Sequence, residues 1–167
     1  MADHALYTAS VPVFRHYLSQ AKGLVRRATP DMLEARLAPD MFSGAEQFAT
    51  AAGFALRVAF PLAGHIVPEF PHLGMDGEGL RARIAFADEQ LASLEPTDFA
   101  GAEDRMIAHR AGFAELEQTG ADFLHLFGMP NFLFHLSMGF AVLRQSGAEV
   151  GKADFDGLHT YPHGFRF

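Results

Sequence analysis

The sequence contains no cysteine, which excludes several classes of site at once. Without thiolates there is no disulfide framework, no cysteine-ligated zinc site and no cysteine nucleophile. Any metal ion would have to be held by imidazole nitrogens and oxygen ligands. The lack of cysteine also agrees with a reducing compartment, and we expect a cytoplasmic protein.

Basic residues are scarce, since 13 Lys and Arg stand against 20 Asp and Glu and the formal net charge is −7. Nucleic acids and anionic membrane surfaces attract concentrated lysine and arginine. Long apolar runs are lacking too, because glycine, proline, arginine or histidine interrupts each of them well before about 18 residues. We therefore expect neither a nucleic-acid partner nor a membrane partner.

The composition predicts one ordinary domain rich in phenyl rings. A chain of 167 residues is long enough to bury about two thirds of the surface that its unfolded form exposes. No internal repeat or low-complexity linker divides it, so we treat residues 1–167 as a single domain. With 17 phenylalanines and no tryptophan, the interior is expected to consist largely of phenyl rings.

Apolar residues at spacings of three and four predict the first two long helices. The first is expected over residues 11–28, with Ser10 as its N-cap. The second is expected over residues 44–64, because Ser43 and Glu46 have the spacing of a capping box. This second helix is apolar almost all round, which indicates that it is mostly buried.

A third helix is predicted over residues 80–94, where a clean apolar stripe lies opposite a charged face. The segment before it, residues 65–77, contains glycine and proline and is expected to be irregular. After the third helix, short alternating segments around Ala111 and Gly112 predict a small hairpin or irregular insert. His109 in this insert is expected to be a solvated strand residue.

The fourth helix is expected to be kinked. It begins at Thr119, which has capping-box spacing to Asp122. Pro130 has no N–H to donate to the preceding turn, so the helix should divide into a piece over residues 120–128 and a longer piece over residues 130–146.

Four long helices with short or moderate connections predict an all-α four-helix bundle, in which the second and fourth helices are the most buried pair. The tail from about residue 148 is rich in glycine and aromatic residues, and we expect it to pack along the outside or at a dimer contact. His159 and His163 lie four apart in this tail, but the surrounding sequence does not favour a helix on which they would share a face.

Two polar residues of the fourth helix are candidates for a site. Asn131 and His135 are four apart, so they share one helix face with Cβ atoms about 5 to 6 Å apart. Either they belong to a metal site, or they are satisfied core residues. In the second case Asn131 would bind backbone groups freed by Pro130, and His135 would donate to a neighbour.

A third interpretation is a small polar pocket at the centre of the bundle that binds an organic ligand without a metal. The residues that we assign to this pocket are Asn131, His135, Phe54, Tyr17 and Met138, with Phe132 and Phe134 as further lining. Phenylalanine and methionine at such spacing are more often core residues than pocket residues.

Five segments in order resemble one protein family: SVPVFRHYL, ARLAPDMF, a Thr-Gly-x-Asp-x-Leu cap, PNFLFHLSMGFAVLR and GKADFDG. They span Ser10 to Gly157, and their order is more specific than any one of them. The chain resembles an uncharacterised bacterial family within the DinB/YfiT-like superfamily of four-helix bundles. The resemblance implies an up-down-down-up bundle, often homodimeric. Its better-studied relatives hold a divalent metal with one histidine from helix two and two from helix four, and some are thiol-dependent transferases or isomerases.

The ligand set that this resemblance implies is incomplete here. The family usually has an Asp-His pair in helix two where this chain has Gly53 and Phe54. Asn131 stands in place of the second histidine, so that His135 alone remains of three imidazoles. A zinc or nickel site normally needs at least three protein ligands. Further candidate ligands are His16 or Tyr17 on the first helix and His125, one turn before the kink.

We therefore expect a degenerate metal site and a small-ligand-binding or structural homodimer, with no favoured cofactor. The alternative is a zinc- or nickel-dependent transferase or hydrolase. In that enzyme an ion at His135, Asn131 and a helix-one residue would activate water or a thiol. The missing imidazole of helix two separates the two hypotheses.

Overall fold

The computed structural model describes residues 4–162 and residue 165, and this part of the chain is mostly helical with one small antiparallel sheet. The long helices are α1 (Ala5–Arg27), α3 (Gly44–Leu62), α4 (Gly77–Ala92) and α6 (Met129–Gln145). The shorter elements are α2 (Pro30–Glu34), a 3₁₀ helix (Pro96–Phe99), β1 (Met106–Ala111), β2 (Ala114–Thr119), α5 (Gly120–Asp122), a π-helix (Phe123–Gly128) and α7 (Lys152–Asp156). The histidine pair of the tail cannot be placed, because His163 lies outside the described residues.

Helix α1 begins six residues earlier than the sequence predicts, and Ser10 is not its N-cap. Ser10 is fully buried inside the helix, where its hydroxyl donates to the carbonyl of Leu6. A serine within a helix commonly bonds the carbonyl four residues earlier. Leu6 is only 3% exposed. Burying it in the core extends the helix past the point that the local capping signal indicates.

Helix α3 begins as predicted and ends two residues early. The hydroxyl oxygen of Ser43 accepts from the backbone N–H of Glu46 at 3.2 Å, and the Glu46 carboxylate accepts from the N–H of Ser43 at 2.7 Å. The helix stops at Leu62 because Gly64 takes a φ of +73°, which reverses the chain. Most of its side chains are buried, as the apolar sequence predicts.

Helix α4 corresponds to the third predicted helix. It begins earlier, because the carboxylate of Asp76 accepts from the N–H of Gly79 at 2.7 Å and caps it. The predicted apolar stripe is confirmed, and its buried residues are Leu80, Ile84, Ala87 and Leu91.

The predicted hairpin is confirmed. Strands β1 and β2 pair in antiparallel register, with Ala111 opposite Ala114 at the turn. Gly112 in this turn has a φ of +61°, a conformation that residues with a side chain rarely adopt.

His109 is not the solvated strand residue that the sequence predicts. It is half-buried, and its ring centroid lies 4.3 Å from that of Phe127 and 4.8 Å from that of Phe123. Its Nε2 lies 2.7 Å from the amide oxygen of Gln118. The hairpin is folded against the π-helix, and this tertiary contact covers the ring.

The fourth predicted helix is distorted at the expected place but does not divide. Thr119 caps its start as predicted. Residues Phe123–Gly128 form a π-helix, and the chain remains helical from Gly120 to Gln145. A π-turn bonds each N–H to the carbonyl five residues earlier. This local change accommodates the missing N–H of Pro130 without ending the helix.

Helices α3 and α6 pack together most extensively, and α1 packs against α4. Gly128 lets the end of the π-helix approach α3 closely, because a Cβ atom on Gly128 would lie 2.7 Å from the methyl carbons of Val58. The two helices differ in burial, however. The helix Gly120–Gln145 is long and apolar enough to cross a membrane, yet only 33% of its most apolar 18-residue window is buried. The prediction that the fourth helix is among the most buried is therefore wrong.

The tail is less irregular than predicted, since it contains α7. This short helix packs against α1 on the outside of the protein. The ring of Phe155 lies 5.7 Å from that of Tyr17 and 5.6 Å from that of Phe140. Gly157 ends α7 with a φ of +68°.

Candidate functional site

Asn131 stabilises the turn that follows the π-helix. Its side-chain nitrogen donates to the carbonyl of Phe127 at 2.7 Å. This is the carbonyl four residues earlier, next to the position that Pro130 leaves without a donor. The interpretation that Asn131 binds backbone groups loosened by the proline is therefore supported. The amide oxygen of Asn131 has no hydrogen-bond partner among the described residues.

His135 is oriented by a buried amide on α3. Its Nδ1 lies 2.8 Å from the side-chain oxygen of Gln47, which is 2% exposed. Because an amide oxygen can only accept, Nδ1 carries the proton and Nε2 keeps its lone pair. No side chain or carbonyl of the described residues hydrogen-bonds Nε2. This nitrogen is therefore a free acceptor.

Phenyl rings surround this imidazole. The ring of Phe54 is stacked on it at 5.5 Å and 20°, and the ring of Phe42 is stacked at 6.0 Å and 22°. The ring of Phe134 meets it edge-on at 5.3 Å. Phe54 is buried, whereas Phe42 and Phe134 are 47% and 51% exposed. The imidazole thus lies at a boundary, with an aromatic core on one side and an open aromatic rim on the other.

A surface cavity adjoins this rim. It measures about 300 Å³ and is lined by Phe42, Glu46, Ala49, Thr50, Met75 and Arg83. Of the rings around His135, Phe42 is the one that lines it. Small residues on this face of α3 leave room beside the rings. We call the imidazole, its three phenyl neighbours and this adjoining space the His135 groove.

Partial burial lowers the pKa of His135 below its ordinary value. Desolvation acts in this direction because it disfavours the charged imidazolium. The imidazole is accordingly neutral at pH 7, which agrees with Nε2 acting as an acceptor.

Acidification should destabilise the folded protein through His135. In the unfolded chain this histidine titrates near pH 6.5, its ordinary value, whereas in the folded state its pKa is lower. The contribution of His135 is therefore complete above pH 6.5 and is lost as the pH falls from there towards the folded-state pKa. We expect urea unfolding between pH 8 and pH 5 to show a smaller loss of unfolding free energy in His135→Phe than in the native protein. An equal loss would contradict this assignment.

The two helix-one candidates make their contacts elsewhere. The Nε2 of His16 lies 2.6 Å from the carbonyl oxygen of Asp156, and the ring of Tyr17 packs against Phe155. Neither side chain stacks on His135 or hydrogen-bonds to it. Both side chains contact helix α7, which the sequence does not predict.

The other residues that the sequence assigns to the pocket lie in different places in the structure. Phe132 is fully buried and packs edge-on against Phe14 at 4.9 Å, so it belongs to the core. Phe134 lies at the rim of the groove, and Met138 is half-buried one turn further along α6. Of the residues assigned to the pocket, the structure brings Phe54 into direct contact with His135, and Asn131 lies one helical turn away.

Comparison with known proteins gives a family. The chain matches the family described as a domain of unknown function, DUF1993, over residues 6–156. The chain belongs to the DUF1993 family. Its fold is similar to the crystal structure of a DinB family member protein from Shewanella denitrificans, with 28% identity, 94% of each chain covered and a TM-score of 0.82. No curated protein matches. The resemblance to an uncharacterised DinB-like family is thus confirmed.

The donor atoms of this DUF1993 chain do not fit the divalent metal that the DinB-like resemblance implies. Among residues 4–162 and residue 165, no three His, Asp or Glu side chains lie close enough to share an ion. The phenyl ring of Phe54, which stands at the position where the resemblance implies a histidine of helix two, is stacked against His135. One imidazole and the amide oxygen of Asn131 are fewer than the three protein ligands that zinc needs.

The sequence analysis does not identify three residues that lie in or beside the His135 groove. Gln47 carries a weak signal, because it is a polar residue in an almost wholly apolar helix. Arg57, whose guanidinium carbon lies 4.8 Å from the centroid of the Phe54 ring, is three residues from that phenylalanine on the same helix. Phe42 lies just before α3, at the end of the ARLAPDMF segment of the family resemblance, but no periodicity or spacing marks it as a site residue.

Proposed function

We propose that the protein is a DinB-type four-helix bundle that binds a small aromatic ligand in the His135 groove without a metal ion. One observation carries the proposal. A neutral imidazole, oriented by the buried Gln47, presents an unpartnered Nε2 beside stacked phenyl rings. In such a site the rings supply contact area, while the single acceptor selects a ligand with an O–H or N–H group and sets its orientation.

Phenol is the simplest probe of this groove. Its O–H can donate to Nε2 of His135, and its ring matches the rim formed by Phe42. Anisole has the same ring without the donor. We expect amide NMR titrations to show phenol perturbing α3 and α6 with an affinity roughly two- to tenfold higher than that of anisole. That ratio is the contribution of one neutral hydrogen bond.

Two histidine variants test whether the preference arises in the groove. His135→Phe keeps an aromatic ring but removes both nitrogens, and it should abolish the preference for phenol. His125→Phe alters an exposed histidine of the π-helix and should leave the preference unchanged. Equal binding of phenol and anisole to the native protein, or an unchanged preference in His135→Phe, would refute the proposal.

We further propose that the protein is a homodimer that associates through the outer face of the Gly120–Gln145 helix. Leu126 and Phe134 on this helix are 68% and 51% exposed. No charged residue occurs between Phe123 and Leu143. Two copies of such a face meet without charge repulsion, and homodimer interfaces are typically apolar. Because Phe134 also contacts His135, a partner copy would cover the open side of the groove.

A further inference from the structure

An arginine without an acidic partner lies beside the His135 groove. Arg57 is exposed, and no carboxylate of the described residues forms an ion pair with it. Four other arginines pair with carboxylates: Arg15, Arg27, Arg36 and Arg110. Arg57 is among the described arginines that do not. Arg57 instead lies over the Phe54 ring, with its guanidinium carbon 4.8 Å from the ring centroid.

Phe54 connects this guanidinium to the imidazole. The same ring that lies under Arg57 is stacked on His135 at 5.5 Å. Stacking on a ring face leaves the N–H groups at the edge of the guanidinium free to bind an anion. A cation and a neutral imidazole are therefore both in contact with the same buried phenyl ring.

The helix surface next to Arg57 is open. Gly53 lies one turn before Arg57 on α3, and a Cβ atom placed on it would meet nothing within 4 Å. Thr50, one turn earlier, lines the cavity of about 300 Å³ beside Phe42. A glycine in the interior of a helix costs stability relative to alanine. Here it leaves open space on the surface of α3 next to Arg57.

We propose that the ligand of the groove is an aromatic carboxylate, an inference that rests on the binding function proposed above. Arg57 binds the carboxylate, the phenyl rings contact the aromatic ring, and Nε2 of His135 accepts from a hydroxyl or N–H group at the far end. The guanidinium fork matches the two oxygens of a carboxylate. A phosphate dianion fits less well, because the net charge of −7 repels its second negative charge.

The probes for this inference are 4-hydroxybenzoate and its neutral isostere 4-hydroxybenzamide, titrated by calorimetry or NMR. The native protein should bind the benzoate at least about tenfold more tightly, since a charge-assisted bond is stronger than a neutral one. Arg57→Gln should remove this difference while leaving the affinity for the benzamide within about twofold. Arg57→Lys should restore part of the difference, because it keeps the charge without the planar fork.

Two matched controls locate the effect. Arg26→Gln removes an exposed arginine of α1 that has no ion pair among the described residues, and it should leave both affinities unchanged. Gly53→Leu places a side chain in the open space and should weaken both probes. Gly23→Leu makes the same change at an exposed position of α1, where a Cβ atom also meets nothing within 4 Å, and should weaken neither.

The outcomes separate the two proposals. If the native protein binds neither probe, the binding function itself is wrong. If it binds both equally and Arg57→Gln changes nothing, the groove binds aromatic ligands but the role of Arg57 is refuted. If Arg26→Gln lowers the benzoate affinity as much as Arg57→Gln does, the preference comes from overall charge, and the contact with Arg57 is refuted as well.

Discussion

Replacing Phe54 and Asn131 together by histidine should create a divalent-metal site beside His135. Phe54 is stacked on His135 from α3, and Asn131 is one turn away on α6. The double variant would place three imidazoles there, the set that the DinB-type resemblance implies, and three protein ligands are enough for zinc. Zinc or nickel at a hundred times its dissociation constant should then raise the unfolding free energy by about 2.7 kcal/mol. For a domain of this size the increase in Tm is roughly 5 to 11 °C.

The native protein and the single variants are the controls for this experiment. Phe54→His or Asn131→His alone supplies two imidazoles at most, so either should give a smaller shift than the double variant, and the native protein should give none. Metal content measured on protein purified without an affinity tag completes the comparison. Stoichiometric zinc or nickel in the native protein, lost in His135→Ala, would overturn the proposal that the groove works without a metal.

Replacing Phe134 by glutamate should convert the proposed homodimer into a monomer. The side chain of Phe134 is half exposed on a charge-free helix face. In a symmetric dimer each substitution would place two carboxylates in one apolar interface. Burying an unpaired charge costs several kcal/mol, so the dimer dissociation constant should increase about a hundredfold or more. Sedimentation velocity over a range of concentrations measures this change directly.

Phe113→Glu is the matched control for the dimer experiment. Phe113 lies at the turn of the hairpin, and its side chain is fully exposed. The same substitution there should leave the association unchanged. Urea unfolding of both variants checks that each remains folded. A native protein that sediments as a monomer at tens of micromolar, or a dimer that Phe113→Glu dissociates and Phe134→Glu does not, would contradict the proposed interface.

The role of Gln47 explains how an isolated histidine keeps a defined tautomer. In metal sites a second group usually binds the other nitrogen of the histidine and fixes the ring orientation. Here the buried amide of Gln47 does the same without a metal, because its oxygen accepts from Nδ1 at 2.8 Å. The result is an oriented acceptor in aromatic surroundings, and burial lowers the pKa of His135 so that it remains neutral. This arrangement suits recognition of a donor group on a ligand.

Local signals predict most of the helical elements. The capping box of Ser43 and Glu46 places the start of α3 correctly, because both partners lie within one helical turn. The turn at Gly112 is likewise predicted from a few adjacent residues. Ser10 shows where such signals fail. Burial of Leu6 against distant parts of the chain extends α1 past the residue that local capping rules select.

The sequence by itself determined the family, through the order of five segments along the chain. It also determined the order of the long helices and the placement of Asn131 and His135 on one helix face, because these two features depend on patterns within single segments. Only the tertiary structure decided what surrounds His135. Gln47 is 88 positions away from it along the chain, and Phe42 and Phe54 also belong to the other side of the α3–α6 contact. Nε2 is free and the phenyl rings are stacked because two distant helices pack closely, and no periodicity within either helix encodes that contact.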